Sequence, residues 1–349
     1  KMKIDFAKLQ DQYQLYKTEI DEAIHAVLNK SNYIMGEEII QLEESLQEFN
    51  SGYFLTGLLA LFFLRIWCKN DEAFYLVPGL TILFIIGLKD DLVVLSPSTK
   101  LIAQMLAITF VISNGSFTIY SLNGFLGIYE IPVWLGNILS FLVIITLVNA
   151  VNLLDGIDGF AGLYLVLLSI FMAVTGYLMQ VPYLQIIGLA TVGVLSPFLY
   201  YNMFHRRKLF MGDSGSLVLG LLTAFYVLSF VKEVEVQSDI FTHPLIWSCA
   251  LVALPIIDLL RVIFIRLRAG RPIFSADKNH IHHAYLNMGL THNQTTFIVM
   301  QLTLSLWLFV YWFEFLDPFW HFVATWILIF GLYIGPILLY RLKGKFYFS

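Results

Sequence analysis

The sequence predicts an all-α, polytopic integral membrane protein of about ten transmembrane helices, with a short amphipathic helical segment at its N-terminus. Three observations predict this class. First, 58% of the 349 residues are hydrophobic, 16% aromatic and only 13% charged, with a mean hydropathy of +0.75. A water-soluble chain carries about a quarter charged residues, and one this apolar would expose large greasy patches. Ordinary cytosolic, disordered, collagen-like and nucleic-acid-binding classes are thereby excluded. Second, apolar runs of near-spanning length recur along the chain. Third, the charges are segregated. Residues 1–50 hold 5 Lys/Arg against 10 Asp/Glu, and the other 299 residues hold 16 against 15. The net charge of −4 therefore belongs to the N-terminal piece, and each charge in the apolar remainder needs a reason to be there.

Taken in chain order, residues 1–50 form the acidic cytoplasmic segment. DFAKLQDQYQLYKTEIDEAIHAVLN has helical periodicity, and GEEIIQLEESLQEF reads as a second amphipathic helix. No apolar run follows the basic start, so no signal peptide is expected. Residues 51–349 form the membrane domain. Its candidate spans are 52–68, 73–88, 101–114, 132–151, 160–179, 183–200, 216–231, 243–265, 296–314 and 319–340. Those at 73–88, 101–114 and 216–231 are short and need either neighbouring residues or a thinned bilayer. With the N-terminus inside, twelve Lys/Arg fall in inner loops and three in outer ones, which places both termini on the cytoplasmic side. Cys68 and Cys249 sit in or beside apolar runs and read as small buried residues rather than a disulfide or metal pair.

Outer loops are bland, whereas four inner loops concentrate the unusual residues: GLKDDL, NAVNLLDGIDGFAGL, RRKLFMGDSGSL and RLRAGRPIFSADKNHIHHAYLNMGL. Asp90 and Asp91 end a helix. Asn149, Asn152, Asp155 and Asp158 follow at intervals of three, but such steps drift by about 60° on an α-helix, so all four cannot align. Gly156 and Gly159 place the helix end near Asp155. Asp213 lies in a Gly/Ser-rich turn where Ser214 or Ser216 is suited to cap the next helix. Five converging carboxylates must take up protons or share a cation. Oxygen ligands without cysteine favour Mg²⁺, with Mn²⁺ as the second choice. Lys100, Arg206, Arg207, Lys208, Arg266, Arg268 and Arg271 suit phosphate-bearing ligands. Together these parts meet the needs of phosphoryl transfer.

Each feature also has a plainer reading. Loop Lys/Arg satisfy the positive-inside rule whatever the substrate, and Asp213 alone could be a helix cap. Asp258 and Arg261 read equally well as an intrahelical pair. His280, His282 and His283 lack the helical acid–His pattern of zinc proteases and fit better as donors to a phosphate or sugar. His243 and His321 read as structural, and His205 and His292 as solvated.

The four loops, in this order and on one face, resemble the polyprenyl-phosphate N-acetylhexosamine-1-phosphate transferase family over about residues 51–341. This family includes the enzymes that begin O-antigen, enterobacterial common antigen and teichoic acid synthesis, and the peptidoglycan translocase. RLRAGRPIFSADKNHIHH resembles its WecA-like, sugar-only branch. The resemblance implies transfer of N-acetylhexosamine-1-phosphate from a UDP-sugar such as UDP-N-acetylglucosamine to undecaprenyl phosphate, with UMP released and Mg²⁺ required. It implies catalytic roles for Asp90, Asp91, Asp155, Asp158, His280, His282 and His283. Substrate binding would fall to Lys100, Asn149, Asn152, Arg266 and Arg271, and the metal to Asp213 with Asp155. The setting implied is a bacterial inner membrane, with the site on the cytoplasmic face, membrane lipid as a partner and room for a homodimer.

There are two departures. The family usually has eleven spanning helices, and its first helix and following basic loop have no counterpart here. Residues 1–50 instead resemble the start of a DegT/DnrJ-type sugar aminotransferase, without its cofactor lysine, so no aminotransferase activity is expected. Among other classes, an aspartate-rich intramembrane prenyltransferase would leave HIHH unexplained, and a CDP-alcohol phosphotransferase would need a DGxxAR continuation that NLLDGIDGFAGL lacks. A transporter would carry acids mid-helix and in repeated halves, neither of which is seen.

Overall fold

The computed structural model describes residues 75–342 apart from 94, 114, 116, 123, 206–207, 238–239 and 272–279. The N-terminal segment and the first candidate span, 52–68, lie outside the described residues.

Every other candidate span is helical. The helices are α1 (Leu76–Leu92), α2 (Pro97–Ile112), α3 (Val133–Leu154), α4 (Phe160–Leu178), α5 (Pro182–Leu199) and α6 (Gly212–Gln237). They continue with α7 (Pro244–Leu251), α8 (Ala253–Arg268), α9 (Ile281–Asn287), α10 (His292–Trp312), α11 (Pro318–Tyr333) and α12 (Gly335–Leu342). No β-strand occurs among the described residues; the single isolated bridge pairs Ser121 with Glu130. Five helices are long and apolar enough to cross a membrane, and six if α7 and α8 count as one bent span. α2 and α11 are apolar but shorter. The chain is a multi-pass, all-α membrane protein.

α6 is the axis of the bundle, buried along most of its length. It packs against α1 and α3, and also meets α4 and α7, while α4 pairs closely with α5. The approach of α1 to α6 depends on Gly87. A β-carbon there would sit 2.5 Å from Ser214 Cα and 2.6 Å from the Asp213 carbonyl oxygen. This closeness lets the end of α1 meet the start of α6.

Two expected spans are broken, each next to a proline. Residues 243–265 form α7 and α8, which meet at 64°. Pro255 has no N–H to offer the Leu251 carbonyl four residues back, so the ladder opens there. The buried Tyr164 hydroxyl of α4 donates to that carbonyl at 2.9 Å, and Trp307 Nε1 of α10 donates to the Ala250 carbonyl at 3.1 Å. Neighbouring helices thus satisfy two of the carbonyls at the bend, as apolar surroundings require. Residues 319–340 likewise divide at Ile334, two residues before Pro336, into α11 and α12. The alternation of helices gathers the ends of α1, α3, α5 and α8 with the starts of α2, α4, α6 and α10 at one end of the bundle, the site end.

Candidate functional site

The site grows from three helix termini. α1 carries Asp90 and Asp91 in its last turn, as expected from the sequence. α2 begins five residues later at Pro97, capped by Ser96, whose hydroxyl accepts the Thr99 N–H at 3.2 Å, and it presents Lys100. α6 begins at Gly212, with Asp213 in its first turn.

Lys100 is the hub. Its Nζ donates to Asp90 Oδ2 and to Asp213 Oδ2, both at 2.5 Å. Asp90 Oδ1 also accepts the Leu95 N–H at 2.7 Å, which closes the α1–α2 turn. Asp91 has a different partner set. Its two carboxylate oxygens accept the N–H groups of Asp213 at 2.8 Å and Ser214 at 3.0 Å. Asp91 thus caps α6 from another helix. Free N–H groups and the positive end of the helix dipole both favour a carboxylate there. The Ser216 hydroxyl instead donates back to the Gly212 carbonyl at 2.9 Å.

α3 supplies the next layer. Asn152 Nδ2 donates to Asp213 Oδ1 at 2.9 Å and to Ser216 Oγ at 2.8 Å. Asn149 turns away from the acids: its amide exchanges hydrogen bonds with Gln104 of α2 and donates to the Ile145 carbonyl. The drift expected from threefold spacing on a helix explains the separation. α3 stops at Leu154, so Asp155 stands just beyond the helix end. Among the described residues no donor reaches the Asp155 carboxylate. Burial, with the charges of Asp213 and Asp91 nearby, pushes its carboxyl up to about 7. Asp158 belongs to a separate pair with Lys208, while His292 Nδ1 lies 3.3 Å from the same oxygen.

The histidine motif approaches from below the DGIDG turn. A short helix, α9, opens at Ile281 where a loop was expected. His280 Nδ1 donates to Asp258 Oδ2 at 2.7 Å, and the Ile281 N–H donates to Asp258 Oδ1 at 2.5 Å. Asp258 therefore serves the histidine motif, which corrects its reading as an intrahelical partner of Arg261. His280 stacks flat on His282, with centroids 5.3 Å apart. A β-carbon on Gly156 would run into the His282 ring, so glycine is required where the acid loop crosses it. His282 is 1% exposed, neither of its ring nitrogens has a hydrogen-bond partner among the described residues, and burial pulls its pKa down to about 3. His280 is also buried, and His283 is half-exposed. Arg266 is buried in α8 and Arg271 is exposed beyond it. Arg206, Arg207 and Lys278 lie outside the described residues.

Two side chains that sequence reasoning passed over complete this end. Gln104 is buried and pairs Asn149. Asn202, also buried, bonds to the backbone beside two of the acidic segments. Polar residues inside long apolar runs were the available signal for both.

Residues 73–231 match the family model described as glycosyl transferase family 4. The matched region holds Asp90, Asp91, Lys100, Asn149, Asn152, Asp155, Asp158 and Asp213, and stops short of Asp258 and the histidine motif. Similar proteins include a decaprenyl-phosphate N-acetylglucosaminephosphotransferase of Mycobacterium tuberculosis, 34% identical over 240 residues, covering 64% of this chain and 59% of the relative. A probable undecaprenyl-phosphate N-acetylglucosaminyl 1-phosphate transferase of Bacillus subtilis is 29% identical over 226 residues, covering 63% and 60%. An undecaprenyl-phosphate alpha-N-acetylglucosaminyl 1-phosphate transferase of Escherichia coli O157:H7 is 30% identical over 156 residues, covering 43% and 39%. The chain thus spans about three fifths of the length of the first two relatives.

Proposed function

We propose that this chain transfers N-acetylhexosamine-1-phosphate from a UDP-sugar to undecaprenyl or a related polyprenyl phosphate, releasing UMP. This would be the initiating step of a lipid-linked cell-envelope polysaccharide. The observation that carries the reading is the carboxylate surplus around one lysine at the end of an apolar bundle. Asp90, Asp91, Asp155 and Asp213 gather there against Lys100. The names of the relatives support the acceptor class and the sugar.

In the reaction, an acceptor phosphate oxygen forms a bond to the sugar-proximal phosphorus of the donor. The bond from that phosphorus to the bridging oxygen breaks, and UMP leaves. A lipid acceptor keeps its tail in the bilayer while its phosphate reaches the polar end of the bundle. Lys100 holds Asp90 and Asp213 in register and offers a cation to an incoming phosphate. Asp91 acts through the backbone, holding the start of α6 and thereby Asp213. Asp155 is the carboxylate left to take up a proton or a cation.

Mg²⁺ fits this donor set. Among the described residues no three His, Cys, Asp or Glu side chains form a ready-made metal cage. Magnesium does not need one, because it keeps waters and joins one or two carboxylates to substrate phosphates. Asp213 and Asp155 would hold it, and their crowded negative charge is what a divalent cation relieves. When bound, it would neutralise phosphate charge in the transition state. We place the site end on the cytoplasmic face of a bacterial inner membrane, where nucleotide sugars are available and the Lys/Arg bias points.

The test is UMP release by the purified chain with undecaprenyl phosphate, UDP-N-acetylglucosamine and Mg²⁺. Release that requires both substrates supports the reading. No UMP from a folded protein with any UDP-N-acetylhexosamine would overturn it.

A further inference from the structure

α5 does not end as an ordinary helix. Pro197 lies inside it, and a π-helical turn at Tyr200–Phe204 follows. Such turns insert one extra residue and re-aim the side chains around it. Here the re-aimed residue is Asn202, which is 5% exposed. Its Oδ1 accepts the Gly159 N–H, and its Nδ2 donates to the Leu209 carbonyl at 2.6 Å. These two partners belong to different segments. Gly159 directly follows Asp158 and closes the turn that carries Asp155, while Leu209 lies four residues before Asp213. Met203, the next residue of the π turn, packs directly over Gly159.

We propose that Asn202 is a positioning residue that fixes the separation of the Asp155–Asp158 turn from Asp213. Only a primary amide fits the task, because it accepts from one backbone group and donates to another. Aspartate keeps the first bond and turns an acceptor against the Leu209 carbonyl. Alanine loses both, leaving the Gly159 N–H at the start of α4 without its partner. The consequence for catalysis rests on the transferase reading above; the tethering itself does not.

Backbone hydrogen exchange on the full chain in nanodiscs, run beside UMP release, tests the proposal. In Asn202→Ala, exchange should rise roughly tenfold in residues 155–160 and in 208–213 together. The turnover number should fall by roughly a hundredfold, with a smaller change in KM, because small misplacements of reacting groups cost rate. Ser196→Ala, an exposed change earlier in α5, should alter neither segment. If Asn202→Ala does not fold, Asn202→Asp decides: faster exchange confined to 208–213 supports the tether, and unchanged exchange overturns it. Exchange that rises in one segment only for the alanine variant, or rises in both without loss of turnover, also overturns the proposal. A wild-type chain that releases no UMP counts against the transferase reading and leaves the exchange result to judge the tether.

Discussion

The two ends of the helix bundle treat polar side chains in opposite ways. At the end away from the site, they meet in small local groups. Trp247 Nε1 donates to Glu314 at 2.5 Å, the Tyr183 hydroxyl donates to Glu233 at 2.9 Å, and His243 and His321 face each other through their Nδ1 atoms at 2.9 Å. At the site end, four carboxylates gather but only Asp90 and Asp213 bond to the lysine, and Asp155 keeps a carboxylate that no described donor reaches. Such local groups crowd no like charges together and read as structure. An unbalanced excess of one charge is costly in an apolar protein and persists where a ligand completes it. The difference separates function from scaffold within one fold.

The largest effect should come from removing the hub. Lys100→Met leaves Asp90 and Asp213 facing each other without a cation, so UMP release should fall by roughly a thousandfold or more. Asp213→Asn should fall as far, with added Mg²⁺ giving no recovery. Near-normal turnover in either variant would erase the contrast between the two ends.

Asp155 sharpens the comparison through pH. Its carboxyl sits at about 7 in the folded chain, against an ordinary value of 3.8. Between these values the folded state holds a proton that the unfolded chain has released. Stability from this group is therefore full below about pH 4 and is lost as pH rises through about 7. Metal-free protein should melt lower at pH 8 than at pH 5, and Asp155→Asn should flatten that slope. At pH 8 Mg²⁺ should raise the melting temperature of the wild type more than that of the variant, and EDTA should reverse the gain. Turnover of Asp155→Asn should fall by roughly a hundredfold or more. An unaltered pH slope in the variant would remove Asp155 from the charged cluster.

Asp258→Ala should have an intermediate effect. It releases His280 and the Ile281 N–H, loosening the histidine stack beneath Gly156. Residues that orient a site from behind typically cost 10–100-fold, so a fall in turnover of roughly that size is expected. Asp258→Asn should recover part of it, since an amide oxygen can still accept one of the two bonds. Equal loss in both variants would assign Asp258 to charge rather than to orientation.

Much of this was legible in the sequence. Apolar run length gave every described span, and glycines placed the helix end at Leu154, next to Asp155. The grouping of Asp90, Asp91, Lys100, Asp155 and Asp213 followed from loops falling on one face. What sequence could not reveal is direction. Threefold spacing made Asn149 and Asn152 look equivalent, yet one faces Gln104 and the other Asp213. Asp258 had an arginine three residues on, and local spacing could not weigh it against a histidine 22 residues away. The breaks beside Pro255 and Pro336 depend on which neighbouring groups accept or donate to the freed backbone, a tertiary fact.

The smallest functional effect should come from the far end, where the absence of crowded like charges predicts a structural cost with little loss of rate. Trp247→Phe keeps a ring to stack on Phe171, whose centroid lies 5.3 Å away, and removes only the donor to Glu314. Burial already holds the Glu314 carboxyl above its ordinary value, with the Trp247 hydrogen bond opposing that rise. Without the bond the carboxylate is harder to ionise, so the cost appears at pH 8, where it must be charged, and shrinks at pH 5. A loss of at most about 1 kcal/mol at the higher pH is expected, because Glu314 is only half-buried and keeps its hydrogen bond from the Thr242 backbone. Adding Glu314→Gln should remove the pH dependence, because an amide has no charge to bury. UMP release, measured below the melting transition, should stay within about twofold of wild type. A large fall in turnover with an unchanged melt would mean that the far end takes part in the reaction, and that charge crowding is no guide to which end does the chemistry.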